Sequence, residues 1–138
     1  MVAYSFQRQF EAPILAGIKR QTIRAHRKRH AEPTERMQLY VGLRTKHCRM
    51  IGTGTCVDAK PITIDLAENR IRIGHDFLTE PGDRIIQRPG MLDAFARSDG
   101  FEHWAAMRDF WTKNHPGRAL WSGVLLRWED FLPFRRLA

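Results

Sequence analysis

Pro13-Ile14-Leu15-Ala16-Gly17-Ile18-Lys19-Arg20-Gln21-Thr22-Ile23-Arg24 reads as a short helix that turns into a strand. Phe10, Ile14 and Leu15 have the helical spacing that buries one face, with Pro13 in the first turn. Gly17 is the stop, because glycine reaches the left-handed conformation after a helix without a Cβ penalty. Gln21 to Arg24 then opens a strand, and the sharp turn brings Lys19 and Thr22 toward one another. An ammonium and a hydroxyl would share one small site. A plainer reading makes Gly17 an ordinary cap, Lys19 a solvated charge and Thr22 a strand residue favoured for its β-branch; spacing alone favours it.

On both sides of this corner the chain alternates strand and turn signals. Tyr4-Ser5-Phe6 is an opening strand, Gln38 to Gly42 another, and Cys48 to Val57 a longer one in which Gly52 and Gly54 predict a bulge or bend. Ile62-Thr63-Ile64 and Ile71-Arg72-Ile73 flank Ala67-Glu68-Asn69 as a half-exposed hairpin, and Thr79 to Asp83 is a turn. Met91, Leu92, Phe95 and Ala96 carry helical periodicity that ends at Ser98-Asp99-Gly100. A second helix carries Phe101, Trp104, Met107 and Trp111 on a core-facing stripe and closes at His115-Pro116-Gly117; Leu120 to Trp128 is a strand and Phe131 to Phe134 a packed tail. The expected architecture is a single α+β domain over residues 1–138, its bent strands curled into a small β-barrel with covering helices.

The 138 residues, 43% of them hydrophobic, are enough for one core. No apolar run is long enough to span a membrane and the N-terminus lacks signal-peptide features, so a cytoplasmic protein with no membrane partner is expected. Cys48 and Cys56 lie too far apart along one extended run to pair, and are expected as free thiols. No metal-ligand spacing occurs, and no metal or cofactor is expected. His26 and His30 are four apart, but the cations between them disfavour a metal.

Charge carries more information. The formal net charge is +8, and no acid interrupts the chain between Glu11 and Glu32, where Lys19, Arg20, Arg24, Arg27, Lys28 and Arg29 fall. Clustered cations bind polyphosphate by releasing its counterions, which points to RNA or a nucleotide as partner. The alternative is a solvated basic face that aids solubility.

Two stretches resemble one family. Gly17, Lys19, Thr22 and Arg24 are similar to the G-x-K-x-x-T-x-R signature of the ASCH domain, whose fold is the PUA-like β-barrel. Phe95 to Phe101, followed by Trp104, Met107, Arg108 and Phe110, resembles that family's second hallmark, an acidic residue at the opening of an aromatic-rich helix. The resemblance covers about Ser5 to Trp128 and implies a cationic cleft, beside Gly17, Lys19, Thr22, Arg24 and Asp99, that binds RNA or a pyrimidine nucleotide. Arg20, Arg27, Lys28 and Arg29 extend that binding surface.

The family also includes amidohydrolases that deacylate N4-acetylcytidine, and by that resemblance Thr22 matches the nucleophile, Lys19 its activator and Asp99 the acidic partner. Those enzymes carry Glu, one methylene longer, where Asp99 stands. A third possibility is a metal-independent ribonuclease with Lys19 and the histidines as acid and base. Asp99 has a structural reading too, since Asp99-Gly100-Phe101-Glu102 matches a helix capping box. Arg24 could contact a phosphate or base, or pair with Asp99.

Overall fold

The alternating burial along the last strand explains how the molecule is layered. In the computed structural model, which describes residues 1–74 and 83–135, Leu125 lies in one hydrophobic cluster and its neighbour Leu126 in another. Successive strand side chains leave opposite faces, so this strand separates two cores. One contains Ile62, Ile64, Ile71, Leu92, Phe95, Trp104, Met107 and Trp111; the other contains Tyr4, Phe6, Phe10, Met37, Leu39, Cys56 and Trp128. Phe101 and Phe110 pack against both, at the seam.

The elements run β1 (Val2–Phe6), a 3-10 turn (Arg8–Phe10), α1 (Glu11–Leu15), β2 (Gln21–Arg24), β3 (Arg36–Val41), β4 (Arg49–Asp65), β5 (Arg70–Ile73), β6 (Arg84–Ile86), α2 (Pro89–Ser98), α3 (Trp104–Asn114) and β7 (Leu120–Pro133). Seven strands form one mixed sheet. β4 pairs with β7 antiparallel from Gly52 to Asp65, while its other edge takes β3 along the first half and β5 along the last four residues. β1 lies parallel to β3, β6 extends the sheet beyond β5, and β2 pairs with β7.

The α+β class agrees with the sequence reading, but the expected closed barrel does not form. Among the described residues no ladder joins β1 to β2, so the sheet stays open at those two strands. What bridges them is a side chain, because Arg24 Nη2 donates to the Ser5 carbonyl at 2.7 Å. A barrel needs backbone hydrogen bonds around its whole circumference, which this bridge does not supply.

Other local readings also change. The two strands expected at Cys48–Val57 and Ile62–Ile64 are one strand of 17 residues. It bends as Gly52 and Gly54 suggested, with register shifts opposite Leu39/Tyr40 and at Thr53/Thr55. The expected tail at Phe131 to Pro133 continues β7, and Leu15, assigned to the buried face of α1, is 51% exposed. Most of the Thr79–Asp83 turn lies outside the described residues.

Both cysteines are free, Cys48 exposed and Cys56 buried, as expected. Burial, with Asp58 and Glu35 nearby, raises the Cys56 thiol to about 11. The thiolate is the reactive species, so Ellman's reagent is expected to titrate Cys48 alone in the native protein and Cys56 only after denaturation. Rapid native labelling at both positions would contradict this burial. Among the described residues no helix is long and apolar enough to cross a membrane.

Candidate functional site

The corner forms as its sequence suggests. α1 ends, Gly17 turns the chain at φ +75°, and the amides of Ile18 and Lys19 both return to the Pro13 carbonyl. The Arg20 amide then donates to the Ser98 carbonyl at the end of α2, and the Arg20 carbonyl accepts from the Trp128 amide on β7. These two bonds fasten the corner between α2 and β7. They place Lys19 against Asp99, which lies 80 residues later in the chain.

Asp99 is the C-terminal cap of α2, with its amide donating to the carbonyls of Phe95 and Ala96. It does not open the next helix, as the capping-box reading proposed. His103 is the N-cap of α3, and its Nδ1 accepts from the Ala106 amide at 3.1 Å.

Lys19, Thr22 and Asp99 are 3%, 4% and 5% exposed, and all three line one cleft of about 180 Å³. The other walls are Ser5, Phe6, Gln7, Phe10, Ile23, Arg24, Phe101, Phe110 and Trp111. Phe10, Phe101 and Phe110 meet pairwise at centroid separations of 5.2–5.5 Å, giving the cleft an aromatic wall at the seam of the two cores. Lys19 Nζ lies 4.7 Å from the Phe10 centroid, within cation–π range.

Lys19 Nζ donates to the Asp99 backbone carbonyl and stands 3.7 Å from Asp99 Oδ1. The main chain at Asp99 therefore approaches the ammonium directly, and the short side chain still reaches it. Burial lowers Lys19 to about 8, opposed by the nearby Asp99 charge and assisted by Arg24. Burial raises Asp99, against the pull of Lys19, Gln21 and Arg24. Both groups are thus displaced toward their neutral forms, as low dielectric requires.

Arg24 Nε donates to Thr22 Oγ1 at 2.9 Å. Its guanidinium lies 4.7 Å from the Phe6 centroid, and burial together with Arg27 lowers it to about 10. It remains a cation at neutral pH. Its hydrogen bonds go to Thr22 and Ser5, and toward Asp99 it acts through its charge. With one lone pair of Thr22 Oγ1 accepting from Arg24, the threonine hydroxyl hydrogen is left to seek an acceptor elsewhere.

The remaining sequence candidates do not line the cleft. Gly17 and Lys28 are exposed, and Arg20 lines a separate groove with Val57, Arg127 and Asp130. Arg27 lies 4.6 Å from the Tyr4 centroid and donates to the Arg29 carbonyl, while Arg29 pairs with Glu35. His30 is held by Tyr4 and the Ala25 carbonyl, and neither it nor His26 lines the cleft. Among the described residues, no three His, Cys, Asp or Glu side chains gather as a metal site.

Sequence spacing does not single out Gln21, yet its Nε2 donates to Asp99 Oδ1 at 3.3 Å. Nothing in its spacing distinguishes it from an ordinary strand residue. The aromatic wall was legible only as core, because the stripe of Phe101, Trp104, Met107 and Trp111 also supplies Phe101 and Trp111 to the cleft. No family model matches the chain, and no curated protein and no solved structure is significantly similar to it.

Proposed function

We propose that the cleft binds a pyrimidine nucleoside acylated on its exocyclic amine and hydrolyses that amide, as the ASCH-type resemblance implies. The observation that carries this reading is the meeting of Lys19, Thr22 and Asp99, from two distant parts of the chain, in one buried aromatic-walled cleft. Perturbed titratable groups in a cleft are what acyl-transfer chemistry needs. The aromatic wall suits a flat ring, and the small volume suits one base bearing a short acyl group. A PUA-like relationship belongs to the same proposal, supported by the order of the two motifs and by the α+β sheet that brings them together.

In this mechanism neutral Lys19 takes the proton of the Thr22 hydroxyl as Oγ1 attacks the acyl carbonyl. The Arg24 guanidinium stabilises negative charge on Oγ1. The C–N bond breaks, and the proton returns from Lys19 to the leaving amine. Water, oriented by Asp99, then hydrolyses the Thr22 ester and releases the carboxylic acid.

The base must be neutral, and Lys19 loses its proton near pH 8, so turnover is expected to climb with pH and level off above about 8. Acetate release from N4-acetylcytidine across that range tests the reading; an intact nucleoside at every pH overturns it. The second reading, RNA binding without chemistry, is favoured by the exposed Arg27-Lys28-Arg29 segment. Its signature in the same preparation would be an intact nucleoside together with RNA affinity that falls steeply with salt.

A further inference from the structure

Gln21 and Thr22 are adjacent on β2, paired with Arg127 and Leu126 of β7, so their side chains leave opposite faces of the strand. Thr22 lines the cleft, whereas Gln21 lines the groove behind it with Phe95, Ser98 and Arg127. The two sides meet at one carboxylate. Asp99 Oδ1 has Lys19 Nζ at 3.7 Å and Gln21 Nε2 at 3.3 Å.

Gln21 is 4% exposed. A buried amide is costly unless it is hydrogen-bonded, and an apolar side chain of similar shape would fill this space at lower cost. The amide offers something an apolar residue does not: a neutral donor that favours the charged carboxylate without adding a charge to the site.

We propose that Gln21 is a positioning residue, which fixes the Asp99 carboxylate against Lys19 from the rear face of β2 and thereby sets how tightly Lys19 holds its proton. Its catalytic meaning rests on the amide-hydrolysis reading; its effect on Lys19 does not. The charges around this carboxylate are Lys19 and Arg24 on the cleft side. The groove behind adds Arg84 and Arg127, the latter paired with Asp58, and a second groove that Gln21 also lines adds Arg20, Glu129 and Asp130.

The test is the titration of Lys19 in free protein, followed by its side-chain Cε and Nζ chemical shifts. In Gln21→Met the donor is lost, Asp99 is neutral over a wider pH range, and the Lys19 midpoint is expected to fall by roughly one pH unit. In Gln21→Glu the two acids share a proton, a donor is restored, and no downward shift is expected. Should Gln21→Met fail to fold, Gln21→Asn keeps the amide but withdraws it by one methylene, and carries the same downward expectation. An unchanged midpoint in the Met or Asn variant, or an equal fall in the Glu variant, overturns the proposal.

With N4-acetylcytidine as substrate, at a pH where Lys19 is neutral in both proteins, Gln21→Met is also expected to lower kcat about tenfold with little change in KM, since Asp99, which orients the water, is displaced but the aromatic wall is intact. If wild-type protein leaves that nucleoside intact, the hydrolysis reading fails, and the Lys19 titration still decides what Gln21 does.

Discussion

Thr22→Ala is expected to lose acetate release from N4-acetylcytidine by about a thousandfold or more while the protein remains folded. The residue supplies the only hydroxyl that the proposed mechanism uses for attack, and alanine has nothing to put in its place. Thr22 is 4% exposed and accepts a hydrogen bond from Arg24, so the substitution leaves one guanidinium donor unpaired. That costs about 1–3 kcal/mol of stability, too little to unfold a typical domain. Thr22→Ser keeps the oxygen and is expected to retain measurable turnover, which separates chemistry from packing. Lys19→Met is expected to be as inactive as Thr22→Ala, because the base is removed; Asp99, already raised by burial, can meet the loss of its partner by protonating. Circular dichroism melting of each variant, beside the acetate assay, provides the check. Turnover that survives Thr22→Ala removes the threonine from the mechanism.

Gly123→Ala is expected to damage severely the sheet that carries the cleft. A Cβ at Gly123 would stand 2.3 Å from the Arg24 backbone carbonyl and 2.3 Å from the Trp121 ring. Neither obstacle yields easily. Arg24 is held in the ladder with Val124, and Trp121 is buried in the core and packed on Trp111 at 4.7 Å. Relief requires β2 to lift from β7 or the core to repack, a cost of about 3 kcal/mol or more, equivalent to a melting temperature lower by about 10 °C. The site is expected to suffer with the fold. Arg24 orients Thr22 through its Nε, so movement of β2 loosens the proposed nucleophile, and turnover measured well below the melting point is expected to fall as well. An alanine variant that melts with the wild type would show that this close approach is not maintained in solution.

The corner was legible because each of its residues has a local reason to be there: Pro13 in a helix, Gly17 at positive φ, and the β-branched Thr22 and Ile23 in the strand that follows. Helices α2 and α3 were legible from their apolar spacing, for Leu92, Phe95, Met107 and Trp111 are all buried. The continuity of β4 was not, since proline argues against a strand interior. Pro61 is tolerated because its carbonyl accepts from Gly74, beyond the end of β5, so its nitrogen faces an edge where the β5 ladder begins only at Ile62. The local pattern at Asp99 misled for a related reason. Asp99 to Glu102 satisfies the spacing of a capping box, but the chain passes Gly100 at φ +98° before α3 starts at Trp104, and His103 makes the cap instead.

Closure of the sheet was beyond local patterns altogether. Alternation assigns side chains to faces, whereas closure depends on whether two edge strands come within backbone hydrogen-bonding distance, and here β1 and β2 are joined through Arg24 instead. The cationic surface was likewise only half legible. Counting charges found Arg27, Lys28 and Arg29, but Glu35, which pairs with Arg29, and Tyr4, which packs against Arg27, come from other strands or loops. The burial of Lys19, which shifts it toward a usable base, is a tertiary property that spacing does not encode.

The central claim is that Thr22 Oγ1 takes the acyl group within this cleft. The most direct measurement is a rapid acid quench of the protein during turnover of N4-acetylcytidine, followed by mass mapping of its peptides. An acetyl ester on Thr22, lost when Thr22 is replaced by alanine, is the result expected. Acetate released with no ester on Thr22, or with the acetyl group on another residue, would contradict the account.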